Sequence, residues 1–213
     1  MELTTPLAIG FVASFFTLAV VTMTSFVKIS VVFMIVRNAM GLQQVPSNTV
    51  LMTLALFLAV FISMPVLTAS ISELTGAEIT PTLPEDFVTL WQLGIAPFQA
   101  FLLTNTDPEQ LSFFVGVTNE IWAGSGLVGT GDDFIVQVPS FMITELTEAF
   151  EIGFLLYLPF VAIDLAVTGI LMALGMQMVQ PNIISVPFKL LIFVFVDGWA
   201  QMVQGLVLTY GAA

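Results

Sequence analysis

No cysteine and no histidine occur among the 213 residues. Their absence excludes disulfides, thiol nucleophiles, Ser-His triads and zinc sites of the nitrogen–sulfur kind. Bases are almost as scarce: Lys28, Arg37 and Lys189 stand against 15 acids, for a net charge of −12. Nucleic-acid binding needs clustered Lys and Arg to neutralise phosphates, and a polybasic anchor on anionic lipid needs the same, so both are excluded. Charged residues of either sign make up 8% of the chain, where a soluble domain carries about 25%. Hydrophobic residues make up 58%, which leaves too little polar material to cover a soluble fold. Catalysis would have to rest on carboxylates, hydroxyls or lysine, and no local motif of that kind is present. No catalytic, cofactor or metal residue is assigned. The chain opens Met1-Glu2 without a positive n-region or a small-residue cleavage site, so the first apolar stretch is expected to stay in the mature protein.

What the chain has in abundance is long uncharged runs. A window of about 20 residues, the span of a bilayer core, finds four of them. They are Ala8–Val27 (continued after Lys28 by Ile29–Val36), Thr49–Ile71, Ile152–Met178 around Asp164, and Val186–Leu208 around Lys189 and Asp197. Such runs predict helices, since a lone strand leaves its backbone unpaired in lipid, and the alternation of a transmembrane barrel is missing. Gly41, Pro46 and Pro181 break the short connections, giving two helical hairpins. Between them, Ser72–Pro139 holds nine acids and no base. Within this insert, Glu85–Leu103 and Pro108–Trp122 read as helices and Gly124–Gly131 as a loop. That glycine run lacks the Gly-Lys-Ser/Thr ending of a phosphate-binding loop. The expected fold is all-α, with a hydrophobic hairpin at 1–71, an acidic insert at 72–139 and a second hairpin at 140–213. All three bases lie in or near the short connections, so the positive-inside rule puts the hairpin tips in the cytoplasm and the insert on the periplasmic side.

Charges inside the apolar runs are costly. A carboxylate at the centre of a span costs about 2.5–3.5 kcal/mol on the insertion scale. Asp164 and Asp197 both sit near mid-span and should face protein or water. Three readings are open: a structural ion pair, a proton pathway, or a contact between subunits. Counted from a turn at Pro181, Asp164 lies 17 residues before and Asp197 16 after, so the two carboxylates stand level. Lys189 lies only 8 after, about 13 Å nearer the tip. A partner for Asp164 is therefore expected from the Lys189 of a neighbouring, staggered copy. Lys28 and Asp197 are expected to be buried charges. Glu145, Glu148 and Glu151 recur every three residues and read as a solvated helix face, with a cation site as the sharper alternative. Pro65 and Pro159 are expected to kink their helices.

Three blocks carry a family resemblance. Thr24–Asn48 (TSFVKISVVFMIVRNAMGLQQVPSN), Glu145–Asp164 (ELTEAFEIGFLLYLPFVAID) and Ile170–Trp199 (ILMALGMQMVQPNIISVPFKLLIFVFVDGW) resemble the R subunit of type III secretion export gates, a relative of the flagellar P export protein. The length and the missing leader resemble the injectisome branch. The resemblance implies a structural gate subunit in a bacterial inner membrane, without catalysis or cofactor. It implies a helical hetero-oligomer of about five copies wound by head-to-tail contacts, together with S-type and T-type subunits, other export-apparatus proteins and basal-body rings. It implies unfolded proteins as substrates, and apolar helices that need not lie in lipid.

The resemblance also implies a methionine-rich constriction after the third apolar run. Here it reads Gly175-Met176-Gln177-Met178-Val179-Gln180-Pro181. Methionine suits a gasket because it is apolar, unbranched and deformable. Gln177 interrupts the family's longer methionine run, so the gasket is assigned to Met176, Gln177 and Met178, and the other methionines to helix packing. Two alternatives belong to other classes. A small proton-coupled transporter would use Asp164 or Asp197 and show inverted repeats, which the sequence lacks. An intramembrane enzyme would use the two aspartates as acid and base.

Overall fold

A helix satisfies its own backbone polar groups, so apolar runs with few breakers fold as helices. A computed structural model describes residues 18–42, 44–77, 84–176 and 178–211, and every regular element among them is helical. After a short helical stretch at 18–23 come α1 (Phe26–Ala39), α2 (Asn48–Gly76), α3 (Pro84–Thr104), α4 (Pro108–Ile121), α5 (Phe134–Ala173), α6 (Pro181–Phe195) and α7 (Gly198–Leu208). The two insert helices stand where the sequence puts them, and the glycine run between α4 and α5 is not helical. Half of the first apolar run Ala8–Val27, up to residue 17, lies outside the described residues.

Helix α5 is longer than hydropathy suggests. It takes in Pro139 and all three glutamates and reaches 40 residues, about 60 Å, or about twice the thickness of a hydrocarbon core. A hydropathy window measures affinity for lipid, whereas glutamate is a good helix former wherever it falls. The start of α5 is fixed by a turn in which the Thr130 N–H and hydroxyl both donate to Asp133 Oδ2, at 2.6 and 3.0 Å. Gln137 Nε2 reaches back to the Gly131 carbonyl at 3.0 Å.

The chain packs as two compact units. The described part of one covers residues 18–27, 59–77 and 84–146. Its core gathers Met23, Leu102 and Phe141, flanked by Phe98, Phe101, Phe134 and Val138. Polar bonds tie its connections. Asp107 caps α4 by accepting from the Glu109 N–H at 2.7 Å, and the Asp107 N–H donates to Thr144 Oγ1 of α5 at 3.1 Å. Asn119 exchanges two bonds with the Gly129 backbone, at 3.0 and 2.8 Å.

The described part of the other unit covers residues 28–58 and 147–211, the halves of the two hairpins that carry their tips. From α1 it buries Ile29, Val32, Phe33 and Val36. An aromatic chain crosses it. The Phe160 and Phe193 rings are 6.2 Å apart, Phe193 meets Trp199 edge-on at 5.4 Å, and Trp199 meets Phe33 edge-on at 6.1 Å. Edge-to-face pairs at these distances add to burial because the positive ring edge faces the negative ring face.

Candidate functional site

The tip-bearing unit holds Lys28, Asp164, Met176, Met178, Lys189 and Asp197, whereas Glu145 belongs to the other unit. The two tips begin alike. Past α1, Gly41 adopts φ +76°, its N–H donates to the Asn38 carbonyl at 3.0 Å, and the Leu42 N–H donates to the Arg37 carbonyl at 3.3 Å. Past α5, Gly175 adopts φ +71°, its N–H donates to the Met172 carbonyl at 3.0 Å, and the Met176 N–H donates to the Leu171 carbonyl at 2.9 Å. Both are Schellman stops, which need a left-handed residue that glycine supplies without strain.

The first tip is then tied down by side chains. Arg37, 9% exposed, donates to the Asn48 side chain and to the Pro46 carbonyl at 3.4 Å, closing residues 37–48 on themselves. The second tip has no such tie among the described residues. Met176 is 44% exposed and Met178 98% exposed. Gln177, the third gasket candidate, lies outside the described residues.

Two ion pairs, each between a buried lysine and a half-exposed carboxylate, brace the helices behind the tips. Lys28 Nζ lies 2.6 Å from Glu148 Oε2 and 4.2 Å from the centre of the Tyr210 ring. The carboxylate and the ring face flank an ammonium whose side chain is only 3% exposed. Lys28 is thus the buried charge that the sequence anticipates. Lys189 Nζ lies 2.6 Å from Asp164 Oδ2 and donates to the Ala39 carbonyl at 2.9 Å. One ammonium therefore joins α5, α6 and the C-terminal end of α1, where the helix dipole favours a cation.

Four expectations are corrected here. Lys189 and Asp164 meet within one chain, where the hairpin count expects the pair to form between staggered copies. The hairpin count assumed that the helix ran to Pro181, but α5 stops at Ala173 and α6 starts at Pro181. Measured from the helix ends, Asp164 is nine residues in and Lys189 eight, which makes them level. By the same measure Asp197 lies roughly 10 Å deeper than Asp164, so the level carboxylate pair of the enzyme alternative is absent. Asp197 is also exposed, not buried. It is the residue before α7, at a break where α6 and α7 bend by 60°. Finally, the glutamate row is a solvated face only in part: Glu145 is fully buried, Glu148 is half-exposed and paired with Lys28, and Glu151 is exposed. No cluster of three or more acids suited to a metal ion occurs among the described residues.

Similarity to known proteins accords with this arrangement. Residues 9–206 match the FliP family. The chain belongs to the FliP family. It is 48% identical over 205 residues to the "Probable translocation protein y4yL" of Sinorhizobium fredii, covering 96% of this chain and 92% of that protein. It is 43% identical over 189 residues to the "Yop proteins translocation protein R" of Yersinia pestis, covering 88% and 87%. It is 40% identical over 200 residues to the "Hypersensitivity response secretion protein HrcR" of Ralstonia nicotianae, covering 90% of each. The three sequence blocks thus identify the R-subunit branch of this FliP-family chain correctly.

Sequence reasoning missed several partners: the Glu148 carboxylate, the Tyr210 ring, the Ala39 carbonyl, and the Arg37–Asn48 tie. A signal for them existed. Three lone bases in an apolar chain must each find an anion, a ring face or a carbonyl.

Proposed function

We propose that this FliP-family chain is a structural subunit of the type III secretion export gate, building a route for unfolded proteins through the inner membrane. The observation that carries the reading is the contrast between a braced scaffold and a free methionine loop. Behind the loop, Lys189 locks three helices together, while Met178 stands 98% exposed at its crest. Several copies of such a loop around an axis would make a soft apolar seal that closes against water and parts around a passing chain. Met176, Gln177 and Met178 form that seal, and energy for transport comes from partners.

The chain is a membrane protein of the inner membrane. Helices α2 and α5 are each long and apolar enough to cross a bilayer, and the bent pair of α6 and α7 makes a third crossing if it counts as one span. The acidic insert faces the periplasm, and about five copies assemble head-to-tail with S-type and T-type subunits. The proton-coupled transporter finds no support in a site where Asp164 is bound to Lys189.

Native mass spectrometry of the detergent-purified chain, expressed with and without its neighbouring export genes, tests the reading. An oligomer of several copies that recruits two smaller hydrophobic subunits is expected. A monomer or dimer indifferent to those genes would overturn it.

A further inference from the structure

Every basic side chain of this protein is engaged inside the fold. Lys28 is 2% exposed against Glu148 and Tyr210, Arg37 is 9% exposed on the first tip, and Lys189 is 5% exposed against Asp164. Asp197 is the reverse case. No ion pair or capping hydrogen bond reaches its carboxylate among the described residues.

The elbow that presents Asp197 is tightly built. Gly198 sits against the Phe193 ring so closely that an added Cβ would lie 2.4 Å from it. Phe193 in turn packs edge-on against Trp199. The aromatic chain thus fills the inner side of the bend. Asp197 takes the left-handed conformation, φ 50°, one that residues other than glycine adopt seldom and chiefly where the surroundings enforce it. Asp197 is exposed, and so are Val194, Phe195 and Val196, which precede it in the chain and are 71%, 87% and 48% exposed. A charge with these neighbours is badly matched to hydrocarbon and has no counter-charge of its own.

We propose that the outer side of the α6–α7 elbow docks an apolar helix of a different subunit, which brings a lysine or arginine to Asp197. The apolar residues supply contact area and the carboxylate supplies register and specificity. A second copy does not fit as the occupant, because its three basic side chains are already engaged. The inference rests on the export-gate reading and names one surface within it.

The test uses the gate co-expressed with its neighbouring subunits in membranes. A photo-crosslinking amino acid at Phe195 should yield an adduct with a subunit other than this chain. Asp197→Gly keeps the left-handed backbone and removes the carboxylate, so a purely conformational role leaves it neutral. Docking predicts instead about a tenfold drop in co-purified partner. Asp197→Lys should drop further, and Lys or Arg to Glu at the crosslinked position of the partner should restore it. An adduct only with a second copy, no protein adduct, or full partner recovery with Asp197→Gly overturns the docking surface. In those cases the wild-type chain still recruits its partners and the export-gate reading stands. A wild-type chain that recruits none overturns both.

Discussion

The two hairpin tips share one backbone device and differ in everything their side chains do. Each stops its first helix with a left-handed glycine and a pair of bonds back to the last turn. At the first tip Arg37 then ties the loop to Asn48 and Pro46, and Gly41 rests on Val186, where a Cβ would come within 2.8 Å of its Cγ2. At the second tip Gly175 has open space around it, and the loop offers methionine to the surroundings. Identical punctuation thus yields a clamp in one place and a deformable surface in the other. On the proposed gate reading, the first tip serves as a mount and the second as the seal.

The comparison breaks hardest at the brace beneath both tips. Asp164→Leu leaves Lys189 buried with a single carbonyl and should cost about 3 kcal/mol. That is the lower end for half a buried pair, because the Asp164 side chain is 37% exposed. The drop in unfolding temperature of the detergent-solubilised chain measures it, and adding Lys189→Met should recover most of the loss. Arg37→Ala comes next, at about 2 kcal/mol for lost charge-assisted bonds in a buried site. Protease cleavage between residues 40 and 47 should rise in this variant, while cleavage near Met178 stays as it was. Gly41→Ala and Gly175→Ala sharpen the contrast. Each incurs a left-handed cost of about 1–2 kcal/mol, but only Gly41→Ala also meets Val186, so it should melt lower than Gly175→Ala. The smallest change in stability belongs to Met178→Ser, within about 0.5 kcal/mol for a side chain in the open. Its effect should appear as ion leak through the assembled gate in planar-bilayer conductance. An unchanged leak would remove Met178 from the seal.

Much of this was legible in the sequence, for identifiable reasons. The helical class, α3, α4 and the glycine loop follow from apolar periodicity and breakers, which are local properties. The methionine loop was visible only through resemblance, since composition alone assigns methionine to packing. The Lys189–Asp164 pair was within reach but was displaced by seven residues, because the hairpin count ran the helix to Pro181 whereas it ends at Ala173. Asp197 was read as a mid-helix charge although Asp-Gly is a local turn signal, because the long apolar run around it outweighed that dipeptide. The bend depends on Phe193 and Trp199 packing with Phe33 and Phe160, and Phe33 and Phe160 lie far away in sequence. Division by hydropathy and division by packing also answer different questions, which is why the compact units part inside α2 and α5.

The burial of Lys28, Arg37 and Lys189 bears on biogenesis. Positive charges beside apolar segments are the cue by which a nascent membrane protein takes its orientation. In this chain the cue is erased by the finished product: once folded, it shows its surroundings no basic side chain. Any insertase or lipid headgroup that reads those cations must do so while the helices are still separate, before the tertiary structure closes over them.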